Sequence, residues 1–210
     1  GRAALYARKI GCAEVGEVTR VEADTPYTQL FVSVGREEDC CFGHVPAKRG
    51  WMVDIWPGEG CESAEFGLCQ YPRRTPLRTP FRTRSVPTGF AGGWLFKGHC
   101  KTQYAGEHGS EHFVKCHRQI VSVLDFWRQL GVTVEVTDES EYWQTRSEEK
   151  LQAMAKRYDG LVAAVAGTLK DAADKTDQKL SIESPIFARK DFERLEAEGQ
   201  REFGRQLAQP

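Results

Sequence analysis

The spacing of apolar residues changes near residue 110, and this change constrains the fold more than any other feature of the chain. Before it, short apolar or aromatic runs at residues 5–10, 29–34, 51–56 and 64–71 are separated by Gly, Pro and Asp turns, which is typical of strands. After it, apolar residues recur three or four positions apart, which predicts amphipathic helices. We therefore expect an α+β fold, in which a mainly antiparallel sheet from the N-terminal half is packed by two or three helices from the C-terminal half.

Three helices are expected in the second half. The first covers residues 110–130, with Ser110 as its cap and Gly131 as its stop. A second covers about 148–174, and a third, about 190–207, is so charged that we expect it to pack weakly at an edge. The expected buried stripe of the second helix consists of Leu151, Met154, Tyr158, Leu161, Val162, Val165 and Leu169.

One domain over residues 1–210 is the expected organisation, because the sheet needs the helices to cover its apolar face. Residues 1–72 are expected to be strand-rich, and residues 72–93 to form a Pro/Arg arm in extended polyproline geometry. Residues 94–188 are expected to run strand, helix, strand, helix, with strands at 94–104 and 132–136, and residues 189–210 to form a peripheral charged helix.

Composition narrows the class of protein. The 210 residues carry a formal net charge of -1 and contain 40% hydrophobic residues, enough for a sizeable core. No apolar run reaches 18 residues, so no membrane span is expected. Seven cysteines at irregular spacing argue against a secreted disulfide framework and favour a cytoplasmic protein, although one Cys61–Cys69 bridge is left open.

Residues 66–106 contain no aspartate or glutamate but seven arginines and lysines. Such a concentration of positive charge indicates an anionic partner. Within it, residues 94–104 alternate, so that a strand would present Lys97, His99, Lys101 and Gln103 on one face. The lysines could hold a phosphate, sulfate or carboxylate while His99 moves a proton; the alternative is a solvated strand face. The remaining residues assigned to this anion site are Arg82, Arg84 and Tyr104.

An acidic and aromatic segment precedes the second helix. Asp138 or Glu139 could assist His99 in catalysis, and Tyr142 and Trp143 could contact the substrate. The alternative is a helix-entry turn whose acids favour the helix N-terminus.

Zinc is the metal for which the sequence offers candidate ligands. His108, His112 and Cys116 are four residues apart, but positions eight apart lie about 12 Å apart along a helix, so one ion could take only two adjacent ligands. We therefore predict no cofactor and keep zinc as the alternative.

The leading functional hypothesis is an enzyme, of hydrolase or transferase type, or a ligand-binding domain, acting on a small anionic substrate, with a phosphorylated compound as one candidate. A second hypothesis is a nucleic-acid-binding protein whose arginine arm contacts phosphates while Trp94, Phe81 or Tyr71 stacks on bases; a pI near 6.6 weighs against it. A third is a protein-interaction module that uses the arm or the last helix. Nucleotide-binding loops of the Walker and Rossmann types and the lipase elbow are absent from the sequence.

Overall fold

A computed structural model describes residues 1–22, 25, 30–34, 41–78, 83–90, 92–174 and 184–207. The chain forms two compact units: unit 1 comprises Gly1–Pro57 and Glu62–Cys100, and unit 2 comprises Gly58–Cys61 and Lys101–Pro210. The predicted α+β class is confirmed, with an antiparallel sheet from the N-terminal strands and helices in the C-terminal half. Unfolding as a single domain stays a prediction.

Unit 1 is built around a five-stranded antiparallel sheet in which β5 is the central strand. Both β1 and β2 pair with one edge of β5, β6 pairs with the other edge, and β9 pairs with β6. Two separate hairpins, β3–β4 and β7–β8, complete the unit. The elements are α1 (Arg2–Lys9), β1 (Glu14–Val15), β2 (Thr19–Val21), β3 (Leu30–Val34), β4 (Cys41–Val45), β5 (Arg49–Trp56), β6 (Ala64–Gln70), β7 (Arg74–Arg78), β8 (Thr83–Pro87) and β9 (Trp94–Leu95).

The sheet of unit 1 buries different faces at its two ends. At the start of β5, Gly50 and Met52 are buried while Arg49 and Trp51 are exposed. Further along, Ile55 lies on the same face as Trp51 but is fully buried. The face that Met52 shares is covered by a hydrophobic cluster, which leaves the opposite face open around Trp51. The cluster consists of Val21, Val45, Ala47, Met52, Cys69 and Tyr71, with Phe90 and Phe96 against it.

The strand predicted at residues 5–10 is wrong, because the chain forms helix α1 there. Ala3, Ala4 and Ala7 recur at helical spacing and are all buried. Alanine has the highest helix propensity of all residues, and small side chains let the helix lie close to its neighbours β1 and β5. The short apolar run at 5–10 was too brief to distinguish the two periods.

The prediction of a polyproline arm at residues 72–93 is also wrong. Strands β7 and β8 pair antiparallel, with Thr75 opposite Val86 and Leu77 opposite Arg84. Thr75, Leu77 and Val86 are buried, so this hairpin belongs to the folded unit. Pro76 is tolerated because each strand of a two-stranded ribbon has a free edge, where no N–H donor is needed.

Unit 2 is helical in its described residues. Its elements are a 3-10 helix (Gln103–His108), α2 (Ser110–Gln129), α3 (Tyr142–Thr145), α4 (Glu148–Asp174), a second 3-10 helix (Pro185–Ala188) and α5 (Phe192–Leu207). The strand predicted at 132–136 is wrong: among the described residues this segment pairs with no strand. Burial still alternates along this segment: Val132, Val134 and Val136 are half-buried, and Thr133 and Glu135 are exposed.

Helices α4 and α5 pack through small residues. Gly160 and Gly199 bring the two backbones together, and Ala163 and Ala166 are buried in a cluster with Leu195 of α5. The prediction that the last helix packs weakly is therefore wrong. The predicted stripe of α4 is wrong in part, since the larger side chains point outward. These are Leu161 (38% exposed), Val165 (47%) and Leu169 (51%).

Replacing Gly199 with Ala tests this contact. A Cβ at this position would collide with the carbonyl oxygen of Gly160, so we expect the free energy of unfolding to fall by about 1–3 kcal/mol in urea titrations. A Gly-to-Ala change at an exposed helical position normally raises the free energy of unfolding by about 0.5–1 kcal/mol. A decrease for Gly199→Ala would therefore indicate the close contact, and an increase would not. The exposed Ala197→Gly on the same helix should lose only about 1 kcal/mol from helix propensity. A stabilised Gly199→Ala protein would show that the helices do not approach this closely.

Candidate functional site

The open face of the unit 1 sheet carries aromatic and basic side chains side by side. The strand register places Arg20 and Leu68 on either side of Trp51. It also places Arg49 and Trp94 on either side of Gln70. Residues directly opposite each other in an antiparallel pair project from the same face. We call this surface the cation-aromatic face; it consists of Arg20, Arg49, Trp51, Leu68, Gln70 and Trp94.

The two tryptophans of the cation-aromatic face are open to solvent. Trp51 is 51% and Trp94 44% exposed, and their ring centroids lie 5.8 Å apart at an interplanar angle of 30°. The guanidinium of Arg49 lies 5.7 Å from the centre of the Trp94 ring, and its Nε donates a hydrogen bond of 2.8 Å to Oε1 of Gln70. The hydrogen bond and the cation–π contact hold Arg49 over the ring.

The charge around the cation-aromatic face is positive. None of its members is acidic, and Arg73 lies near the loop that leads into β9. Arg73 is exposed, and its Nη2 lies 4.0 Å from the position that a Cβ on Gly92 would take, two residues before Trp94. Arg84 on β8 is also exposed. These groups can attract an anion, while the indole rings offer flat apolar surfaces.

Sequence reasoning found only part of this face. Trp94 was proposed as a stacking residue, but Arg49 and Trp51 were missed. Their signal is the Arg-x-Trp spacing at the start of β5, where two polar or amphipathic side chains share one side of a strand. Because the neighbouring residues are apolar, the run at residues 51–56 was interpreted as a buried strand, and this spacing was overlooked.

The predicted anion-binding row does not form one strand. Strand β9 ends at Leu95, so the strand predicted for 94–104 is wrong, and residues 103–108 form a 3-10 helix instead. Lys97 and His99 belong to unit 1, whereas Lys101 and Gln103 belong to unit 2. A physical reason lies at Gly98, where the chain passes so close to the carbonyl oxygen of Glu65 that a Cβ would not fit.

His99 already has an acidic neighbour. Its Nε2 lies 3.6 Å from Oε2 of Glu62, and its side chain is 70% exposed. Tyr104 is 50% exposed on the 3-10 helix of unit 2, and Arg84 is exposed on β8. Arg82 and Phe81 lie outside the described residues, and Tyr71 is buried in the core of unit 1. The catalytic role of His99 stays a prediction.

Asp138 lies in unit 2 at the centre of a buried hydrogen-bond network. Its Oδ1 accepts hydrogen bonds from the backbone N–H (2.9 Å) and the hydroxyl (2.7 Å) of Ser140. Its Oδ2 accepts one from the backbone N–H of Trp143 (2.7 Å) and lies 3.3 Å from Nε2 of His117. On the other side of the imidazole, Nδ1 of His117 lies 3.0 Å from the hydroxyl of Thr102.

Hydrogen bonding controls the ionisation of Asp138. Burial alone raises its pKa, but the hydrogen bonds from His117, Ser140 and the Trp143 backbone outweigh burial and hold the pKa well below its usual range. With Asp138 ionised, Nε2 of His117 is the donor to its carboxylate, and Nδ1 is hydrogen-bonded to the Thr102 hydroxyl. Asp138 is only 7% exposed, and both of its oxygens are engaged. The network therefore joins α2, the segment before α3 and the first turn of α3.

Sequence reasoning placed Asp138 in a site but missed its partner His117. The recoverable signal is the spacing of Phe113 and His117 on α2, which puts both on one side of the helix, where their rings lie 5.9 Å apart. The other predicted residues have separate partners. Glu139 accepts a hydrogen bond from the hydroxyl of Tyr158 (2.5 Å). Tyr142 is buried with its ring edge-on to His117, and Trp143 lies beneath Arg146 and Arg128.

The histidines and cysteines of unit 2 approach one another without forming a recognisable metal centre. His112 Nε2 donates to the carbonyl oxygen of Glu59 (3.0 Å) and lies 3.5 Å from Sγ of Cys116. His108 Nε2 lies 3.8 Å from the Glu59 carboxylate. No group of three or more metal-ligating side chains was found within the described ranges. The prediction of no cofactor, with zinc at His108, His112 and Cys116 as its alternative, stays a prediction that metal analysis can test.

Cys61 and Cys69 are both free thiols, so the bridge left open between them is not formed. Within the part of the chain that the structure describes, no helix combines the length and the hydropathy of a membrane span.

The chain matches no protein-family model, and searches against curated proteins and against solved structures returned no significant match. Any argument about function therefore rests on the geometry and chemistry of the residues themselves.

Replacing Asp138 with Asn should lower the free energy of unfolding at pH 7 by about 1.5–3 kcal/mol, because hydrogen bonds to a buried charge are lost. The folded pKa lies below the ordinary value of 3.8. The stabilisation is therefore complete above that value and is lost as the pH falls below it. Urea titrations should show that the free energies of unfolding of wild type and variant differ less at pH 3 than at pH 7. The exposed Glu135→Gln in the same segment serves as control; a difference independent of pH would contradict the assignment.

Proposed function

We propose that unit 1 binds single-stranded nucleic acid through the cation-aromatic face. The observation that carries the proposal is the exposed Trp51–Trp94 pair with Arg49 held over one ring. Proteins that bind single strands combine aromatic side chains, on which bases stack, with cations that follow the phosphates. A large aromatic surface left in water is otherwise unfavourable.

The geometry favours stacking on the outer surfaces of the rings. A base inserted between two parallel rings needs a separation of about 7 Å, twice an ordinary carbon–carbon contact, whereas Trp51 and Trp94 are 5.8 Å apart. Bases would therefore lie outside the pair, and a base at Trp94 would share that ring with the Arg49 guanidinium. Arg20 flanks Trp51 and Arg49 flanks Trp94, so each base would have a cation within reach of its phosphate.

A single strand fits this surface better than a duplex. Only unpaired bases can offer their flat surfaces to a sheet, because the bases of a duplex are stacked on one another. The pI near 6.6, which weighs against nucleic acid, is less relevant here because none of the six residues of the cation-aromatic face is acidic.

The hypothesis of a small anionic substrate stays a second proposal. It rests on Lys97, which is exposed, and on Lys101 of unit 2. Glu62 beside His99 reduces the positive charge available at the histidine. A small anion would raise the melting temperature in a way that depends on Lys97 and Lys101, whereas an oligonucleotide would depend on the tryptophans.

Fluorescence anisotropy with a labelled oligo(dT) tests the proposal. Trp94→Ala and Trp51→Ala should each weaken binding by about 1–3 kcal/mol, because each removes one stacking surface. Both rings are about half exposed, so the variants should keep the wild-type melting temperature. Arg49→Gln and Arg20→Gln should each reduce the slope of log K against log salt by about 0.7, the value for one phosphate contact on a single strand.

Tyr104→Ala is the matched control, because Tyr104 is 50% exposed but belongs to unit 2. It should leave oligonucleotide affinity unchanged. Absence of binding at low salt, or equal losses in the Tyr104 and tryptophan variants, would refute the proposal. Binding that is lost in the Lys97→Ala protein but kept in both tryptophan variants would favour the small-anion hypothesis instead.

A further inference from the structure

A pocket of about 420 Å³ opens in unit 2 between α4, α5 and the segment before α3. This volume is in the range of small-molecule sites, about 300–1,000 Å³. All its lining residues belong to unit 2, so it is independent of the cation-aromatic face. It adjoins the Gly160–Gly199 contact between the two helices, since Gly199 itself lines the pocket.

The walls of the pocket are partly apolar. Met154 and Leu161 of α4 line it, together with the ring of Tyr158. Leu161 is 38% exposed, although sequence reasoning placed it in the core. An aliphatic side chain and a thioether beside a phenol ring suit a compact hydrocarbon or aromatic body, and methionine adapts its shape to whatever it contacts.

The charged groups of the pocket are unbalanced. Arg157 is engaged by Glu202, with Nε 2.8 Å from Oε1. Among the residues that the structure describes, Glu139 forms no ion pair; it accepts a hydrogen bond from the Tyr158 hydroxyl. A carboxylate has about four lone-pair sites, so Glu139 can accept further hydrogen bonds. The described lining residues include two carboxylates and one guanidinium, a balance that favours a cation over an anion.

Tyr158 donates its hydroxyl hydrogen to Glu139. This hydrogen bond, assisted by burial and by the charges of Glu139 and Asp138, raises the pKa of Tyr158 to about 12, although Arg157 opposes this. Tyr158 is therefore a donor at neutral pH, and it fixes the orientation of the Glu139 carboxylate.

We propose that this pocket binds a small hydrophobic amine, with its ammonium group hydrogen-bonded to Glu139 and its hydrocarbon body against Met154 and Leu161. The ammonium group donates to the lone pairs of Glu139 that Tyr158 leaves open. The role expected for Glu139 from the sequence, which is to assist His99 in catalysis, stays a prediction.

Methyl NMR gives a direct readout, because the chain has two methionines. Met154 lines the pocket, whereas Met52 is buried in the core of unit 1, so one methyl signal reports binding and the other is an internal control. Full-length protein carrying ¹³C-methyl methionine is titrated with 2-phenylethylamine, phenylethanol and phenylacetate, which share a ring and differ in charge. Met154→Leu assigns the two signals.

The expected result is a saturable shift of the Met154 signal with the amine, a weaker one with the alcohol and the weakest with the acid. Glu139→Gln keeps an acceptor for Tyr158 but removes the charge, and it should weaken amine binding by about tenfold or more. Glu135→Gln, an exposed carboxylate outside the pocket, should bind as wild type. The inference is overturned by a Met154 signal that does not respond, by equal or tighter binding of phenylacetate, or by a folded Glu139→Gln protein with unchanged affinity.

Discussion

The central strand β5 is the constraint on which unit 1 depends. It pairs with β1 and β2 along one edge and with β6 along the other, so its residues set which side chains face the core. Met52 is held in the core and Trp51 must then project the other way, because successive side chains of a strand alternate. The exposed tryptophan is therefore a consequence of packing on the opposite face, and the cation-aromatic face follows from it.

Unit 2 depends on two contacts of a different kind. Backbone approach at Gly160 and Gly199 joins α4 to α5, and the Asp138 network joins α2 to the segment before α3. The first requires the absence of a side chain and the second requires a buried charge whose hydrogen bonds are all made. Between these contacts lies the pocket at Glu139 and Tyr158, so two structural requirements leave a space whose lining is chemically specific.

Charge has different consequences in the two units. In unit 1 the cations of the open sheet face lie beside indole rings, and none of the six residues of that face is acidic, an arrangement suited to an extended polyanion. In unit 2 acidic groups outnumber basic ones within one pocket, which suits a small cation. A net charge of -1 for the whole chain conceals both. Local arrangement, and not composition, decides which ligand a surface can attract.

Periodicity in the sequence predicted helices α2, α4 and α5, because it extends over enough residues to be distinctive. Short apolar runs between turn residues predicted strands β3, β5 and β6, and the two patterns together predicted the α+β class. The sequence also singled out Trp94, Asp138 and Glu139. Only tertiary structure decided that residues 74–87 form a hairpin, that Leu161 faces a pocket and that His117 meets Asp138. Those outcomes depend on contacts between residues far apart in the chain, and local spacing carries no information about such contacts.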